Sequence, residues 1–232
     1  MEQMSYDRDK ADVAGEERWR QKLHGMIHGF IPASNEPSAV LARVYDSDER
    51  TQAGAGDDGV YRENEEGRTA MKLIITDIED FRIPVEGTYE IIKPQGEIHP
   101  CIGCFGCWVK TPGKCVIRDG YENTGIQMSR CTELIFVSRC CYGSFSPFVK
   151  TVQDRAISYL HPDFVLRKGE MHHKRRYQNR IALSAYFYGE DITDTEKETA
   201  QKLMEANADN YDGTVKQISF YTDARELEDM TL

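Results

Sequence analysis

From Met71 onward, apolar runs of strand length alternate with helical stretches, and this alternation limits the fold more than any other feature. "MKLIIT" (71–76) is an apolar run suited to a strand buried on both faces, and "TYEIIKP" (88–94) is a weaker second strand. "TELIFVS" (132–138) has a continuously apolar centre, Leu134–Val137, and "RIALSAYFYG" (180–189) and "VKQISFY" (215–221) supply a fourth and a fifth strand. Between the last three lie two helical patterns. "SPFVKTVQDRAISYL" (146–160) opens on Ser146 as N-cap and Pro147 at the first helical position, with Phe148, Val152, Ala156 and Tyr159 expected on its inner face. "TDTEKETAQKLMEANADNYDG" (193–213) pairs Thr195 with Glu198 as a capping box and stops at Gly213, with Ala200, Leu203, Met204, Asn207 and Tyr211 on one stripe. Strands alternating with helices predict a mostly parallel sheet of about five strands covered on both sides. Ligands bind such sheets outside the carboxyl ends of the strands. Only about a dozen residues separate the first two strands, too few for a helical crossover, so the first crossover helix is expected to be missing.

Upstream of Met71 the composition changes. Residues 1–70 hold nine basic against fifteen acidic side chains, and "DSDERTQAGAGDDGVYRENEEGRTA" is too polar and glycine-rich to build a core. Trp19, Leu23, Met26 or Ile27, and Phe30 recur at helical spacing and predict a short amphipathic helix. Residues 1–70 are therefore read as a disordered or weakly helical extension, residues 71–222 as the folded domain and residues 223–232 as a C-terminal tail. A docking helix and a true start at Met71 are the other readings of the extension. The net charge of −10 over 232 residues argues against nucleic-acid and anionic-membrane partners. The first thirty residues are charged where a signal peptide is apolar, which leads to a cytoplasmic expectation with thiols kept reduced.

In that setting the stretch "CIGCFGCWVKTPGKC" (101–115) reads as metal-binding or redox-active. Cys101, Cys104, Cys107 and Cys115 follow the spacing C-x2-C-x2-C-x7-C. Short C-x2-C steps let successive sulfurs point into one concave loop, as an iron–sulfur cubane requires. Zinc more often takes two C-x2-C pairs joined by a longer spacer, and free or redox-active thiols are a third reading. His99 is an accessory-ligand candidate, Cys131 reads as a small core residue, and Cys140 and Cys141 have no metal spacing. No Ser-His-Asp or paired-carboxylate arrangement stands out, and no catalytic residue is assigned.

Two motifs carry a resemblance over residues 71–221. "CIGCFGCWVKTPGKCVIRDG" follows the second strand and "SRCCYGSFSPFVKTVQDR" follows the third. In order and position they resemble the flavodoxin-like NAD(P)H-dependent FMN reductases, especially the iron–sulfur flavoprotein branch. The resemblance implies a three-layer flavodoxin-like sandwich and an FMN-dependent oxidoreductase with NAD(P)H as co-substrate. It also implies a [4Fe-4S] cluster on the four cysteines and a small-molecule or protein electron acceptor. Homo-oligomers are expected. By position, Ser138, Arg139, Tyr142, Gly143 and Ser144 would form the loop around the flavin ring, and Tyr188 and Gly189 a second contact. Lys150, Asp154 and Arg155 would match the helix signature. Arg139 stands where the family usually has proline. The family's Gly-Ser phosphate loop after the first strand is missing. "DIEDFRIPVEG" stands there with the carboxylates Asp77, Glu79 and Asp80, which would repel a phosphate. The basic stretch "RKGEMHHKRRYQNR" (167–180), through Lys174, Arg175 and Arg176, is the expected substitute for the phosphate, with a solvated insertion loop as its plain reading. The rival to a redox enzyme is a non-catalytic interaction module of the same fold, with a zinc-bound or free-thiol cysteine loop.

Overall fold

The computed structural model describes residues 71–232, so the expected Trp19–Phe30 helix and the 1–70 extension lie outside the described residues. Five strands form one sheet: β1 (Met71–Thr76), β2 (Thr88–Ile92), β3 (Glu133–Arg139), β6 (Ala182–Tyr188) and β7 (Thr214–Tyr221). Their order is β2-β1-β3-β6-β7 and every pairing is parallel. Apart from the extra hairpin described below, this is the flavodoxin-like doubly wound order, 2-1-3-4-5. The sheet centre is the driest part of the molecule, since Leu73, Ile74, Leu134, Ile135, Phe136 and Val137 are all buried.

The two faces are covered differently. Leu73, Ile75, Leu134, Phe136, Leu183 and Phe187 face a core roofed by α2 (Thr124–Arg130), α3 (Pro147–Arg155) and α4 (Asp194–Tyr211). On the other face, Ile74, Ile135, Val137 and Tyr186 meet Ile83, Leu227 and Leu232. No helix joins β1 to β2, as expected; residues 77–87 cross as irregular chain. The C-terminal residue fastens that crossing, because Leu232 N–H donates to Pro84 O and Glu86 N–H donates to Leu232 O, both at 2.9 Å. The third layer is thus built from extended chain and the short 3-10 turn Ala224–Leu227. Of the last ten residues, Leu227 and Leu232 are buried in this layer, so the segment is anchored to the domain at two points. Leu227→Ala should cost about 2–4 kcal/mol, the usual range for a fully buried leucine. Urea unfolding checks this, and a change under 0.5 kcal/mol would show that the segment packs less tightly than its burial indicates.

Local signals decided most helix ends. Ser146 caps α3 with Pro147 at its first position, as predicted. The capping box of α4 sits two residues earlier than expected: Thr193 accepts from Glu196 N–H, and the Glu196 carboxylate accepts from Thr193 N–H at 2.9 Å. Both Thr-x-x-Glu pairs fit the motif, and the extended backbone at Thr193 makes it the one that caps. The left-handed stop falls on Asp212 instead of Gly213. Gly213 answers a different need, because a Cβ there would lie 2.4 Å from Ile181 O. Besides single short turns, two elements were not anticipated. One is α2. The other is an antiparallel hairpin, β4 (Leu160–Arg167) and β5 (Glu170–Arg175), turned by Lys168 and Gly169 at φ 52° and 83°.

Candidate functional site

The carboxyl ends of β1, β3 and β6 are stitched together by one carboxylate. Asp77, just past β1, accepts from Arg139 N–H at 3.1 Å and from the Tyr188 hydroxyl at 3.1 Å. Burial, aided by the Asp77 charge, pushes the Tyr188 phenol up. The loop after β3 is rigid for reasons visible in its bonds. Ser138 Oγ accepts from Ser146 N–H (2.9 Å), Cys141 and Ser144 exchange two backbone bonds (2.9 Å each), and Cys140 N–H donates to Tyr188 O (2.8 Å). Tyr142 stands at φ 55° and 92% exposed, a bare aromatic plate beside the strand ends. Gly143, at φ 76°, lies so close to α4 that a Cβ would sit 2.7 Å from Glu196 O. The structure thus brings Ser138, Arg139, Tyr142, Gly143, Ser144, Tyr188 and Gly189 to one edge, the place where this fold takes ligands.

The phosphate end of an FMN finds no cradle at that edge. No helix begins after β1, Asp77 already holds the nearest free donors, and Asp80 pairs with Arg82. Nor does the structure bring Lys174, Arg175 and Arg176 to this edge. They lie at the end of β5, where Arg175 contacts Asp212 (3.0 Å) and Arg176 donates to Ser158 O (3.1 Å). Asp212 lies two residues before β7, whose first residues pair with the start of β6, which in turn pairs with the start of β3. The two groups are therefore separated by the length of β3, roughly 20 Å at about 3.3 Å per residue.

The cysteine loop forms a second site, on the helical face. Cys101, Cys104, Cys107 and Cys115 all line one cavity of about 550 Å3 between the loop and the α3–α4 surface. All four are free thiols, with Cys107 and Cys115 buried and Cys101 and Cys104 exposed. Burial, then the nearness of the other three thiols, pushes Cys107 up to about 11. The short helix α1 (Gly106–Val109) starts from Phe105 at φ 56° and carries Trp108, whose indole N–H donates to Leu160 O at 3.0 Å. The chief anchor is Arg155. Its guanidinium, buried at the end of α3, donates to Cys115 Sγ (3.1 Å), His99 O (2.7 Å), Ile117 O (3.2 Å) and both Asp119 oxygens (2.7 and 3.0 Å). Sequence reasoning matched Arg155 to a motif without seeing this role. The Asp154 side chain of the same motif is exposed and pairs with Lys150.

Among the described residues, no three His, Cys, Asp or Glu side chains converge tightly enough to hold a single metal ion. A closed zinc site would demand that convergence, at about 2.3 Å per Zn–S bond. The four cysteines line one cavity without converging, so their placement assigns neither zinc nor a cluster to the loop. His99 turns to its own loop, with Nδ1 at 2.9 Å from Pro100 O, and does not line the cavity. Cys131 is a core residue, fully buried and pushed up to about 12 by that burial.

No family model and no curated protein matches the chain. Among solved structures it is similar to the FMN-dependent NADH-azoreductase of Bacillus anthracis in complex with FMN. The identity is 12%, the match covers 69% of this chain and 92% of that one, and the TM-score is 0.42. Among the described residues, no helix is long and apolar enough to cross a membrane.

Proposed function

We propose that the chain is an FMN-dependent, NAD(P)H-linked oxidoreductase whose cysteine loop holds a [4Fe-4S] electron relay, serving a small-molecule or protein acceptor in the cytoplasm. The observation that carries this reading is the set of four free thiols lining one cavity, with a buried guanidinium donating to one of the sulfurs. Bound FMN supplies a hydride acceptor that releases electrons singly, and a bound cluster supplies one-electron relay. The chain's own residues do the rest. Cys101, Cys104, Cys107 and Cys115 are the ligands, and Arg155 fixes the position of the Cys115 sulfur through its hydrogen bond. Phe105 and Trp108, stacked at 5.6 Å, form an apolar wall on the loop side of the cavity. On the strand edge, Tyr142 offers a stacking face to the ring. The phosphate must be held from outside this edge. In a homo-oligomer, Lys174, Arg175 and Arg176 of a second copy are the cationic group available for it.

Anaerobically purified protein should contain about four iron and four sulfide per chain, with visible absorption that dithionite bleaches. Cys115→Ser should lose iron as fully as Cys104→Ser, while Cys131→Ser keeps it. FMN titrated into the protein should lose its fluorescence on binding. Colourless protein holding zinc, with no response to FMN, would replace this reading with that of a non-catalytic binding module.

A further inference from the structure

The β4–β5 hairpin is amphipathic the wrong way round. Side chains two apart on a strand share a face, so Phe164, Leu166, Met171 and His173 stand on one side of the paired strands. The other side carries charge and turns to the C-terminal end of α4. There Arg167 donates to Asp209 O at 2.6 Å, and His172 Nδ1 lies 3.3 Å from Asn210 Oδ1. Antiparallel strands with one wet face ordinarily turn their polar side chains to water and their apolar ones inward. Here the apolar side is the bare one, with Phe164, Leu166 and Met171 at 50%, 76% and 69% exposure.

The bare surface continues past the hairpin. The Phe164 ring packs on His173 (4.6 Å), His173 on Trp108 (5.1 Å) and Trp108 on Phe105 (5.6 Å), so rings run unbroken into the cysteine loop. On that loop Ile102, Phe105 and Val109 are exposed as well. Six of the eight large apolar side chains exposed among the described residues thus lie on two adjoining segments. Together they leave roughly 700–800 Å2 bare, beyond the ~300–600 Å2 that the largest patch on a monomer usually covers. One side of a standard protein interface is about 800 Å2. No Lys, Arg, Asp or Glu is among these six, so charge selects no unlike partner, and interfaces between identical chains are the more apolar ones. An uncharged patch is also complementary to itself, as a two-fold contact requires.

We infer that the outer face of the β4–β5 hairpin, with the adjoining cysteine loop, is the two-fold interface of a homodimer. A second copy seated there covers Ile102 and Phe105, and with them the exposed Cys101 and Cys104 beside them in the loop. The interface rests on the patch alone and holds whether or not the loop carries iron or the strand edge a flavin.

Sedimentation velocity of the full chain at micromolar concentration should give a mass near twice 26.6 kDa. Leu166→Lys/Met171→Lys sets like charges across the axis and should weaken the dimer roughly a hundredfold, as the loss of central anchors does. Both positions are exposed, so the far-ultraviolet circular dichroism of the variant should match that of the parent. Leu166→Glu/Met171→Glu should also be monomeric alone, and mixing the two variants should restore a dimer. That rescue requires two copies of this patch facing each other. A monomeric parent would overturn the interface, whether the patch is covered by other residues of the same chain or left for a different protein. A parent dimer that survives both sets of charges would overturn it too, since its contact then lies elsewhere. So would failure of the mixed variants to pair. Should the lysine variant misfold, the milder Leu166→Ser must still weaken the dimer. Iron and flavin content are measured apart from mass, so the redox reading and the interface can each fail alone.

Discussion

Arg155→Met should unfasten the cysteine loop and cost about 3–5 kcal/mol, the range for breaking a buried ion pair from one side. The methionine fills much of the volume but leaves Asp119 with its charge and without five donated bonds' worth of anchoring to residues 99–119. The Asp119 side chain is only 13% exposed, so water replaces little of what is lost. The acid limb of stability gives a second readout. Hydrogen bonds from Arg155, then from the His99 and Tyr121 amides, lower Asp119 from 3.8 to about 2. A carboxyl depressed on folding stabilises above its unfolded pKa and loses that contribution as the pH falls through the folded one. The pair's contribution is thus complete above pH 4 and fades towards pH 2. A difference of nearly two pKa units corresponds to about 2 kcal/mol. Urea unfolding of parent and variant from pH 7 to pH 2 should therefore converge in the acid. A gap that stays constant through that range would mean that Arg155 acts by packing and not by charge. The double variant Arg155→Met/Asp119→Asn should recover part of the loss.

What could be read in the sequence divides along physical lines. β1, β3 and β6 were legible because strands buried on both faces must be continuously apolar, and "LIFV" or "LIIT" admits little else. The missing crossover was legible as a chain length. The four cysteines were legible as a group, since spacing constrains where a short loop can send its thiols. Arg155 was not. It sits three residues after Val152 on the inner face of α3, and only the irregular loop from His99 to Asp119, distant in sequence, makes a cation stable there. The β4–β5 hairpin hid behind its charge. The alternation of Phe164, Leu166, Met171 and His173 is present, but Lys-Gly is a weaker turn signal than Asn-Gly, and the run of basic residues suggested a solvated loop. In the last ten residues only Leu227, Met230 and Leu232 are apolar enough to report burial, too sparse a pattern for any periodicity.

Gly143→Ala should displace the loop after β3 and so separate its structural from its binding role. Two costs add at this position. The backbone stands at φ 76°, where an L side chain is strained by about 1 kcal/mol. The new methyl would also lie 2.6 Å from Thr199 Cβ and 2.7 Å from Glu196 O, contacts made by the first two turns of α4. Backbone cannot swing aside as a side-chain tip can, so either α4 shifts or the loop leaves it. The loop has fewer buried contacts than α4, whose Ala200 and Met204 are fully buried, and the loop should be what moves. A destabilisation of about 2–4 kcal/mol is expected, in line with strain plus overpacking. Tyr142 would then lose its fixed stance beside Tyr188 and Gly189. If this ledge is where the flavin ring lies, FMN affinity should fall by at least tenfold at temperatures where the variant remains folded. If the cysteine loop holds iron as proposed, its content should be unaffected, since that loop hangs from the other end of α3 through Arg155. Unchanged FMN affinity together with the expected loss of stability would remove the ledge from the flavin site while leaving the cysteine centre standing.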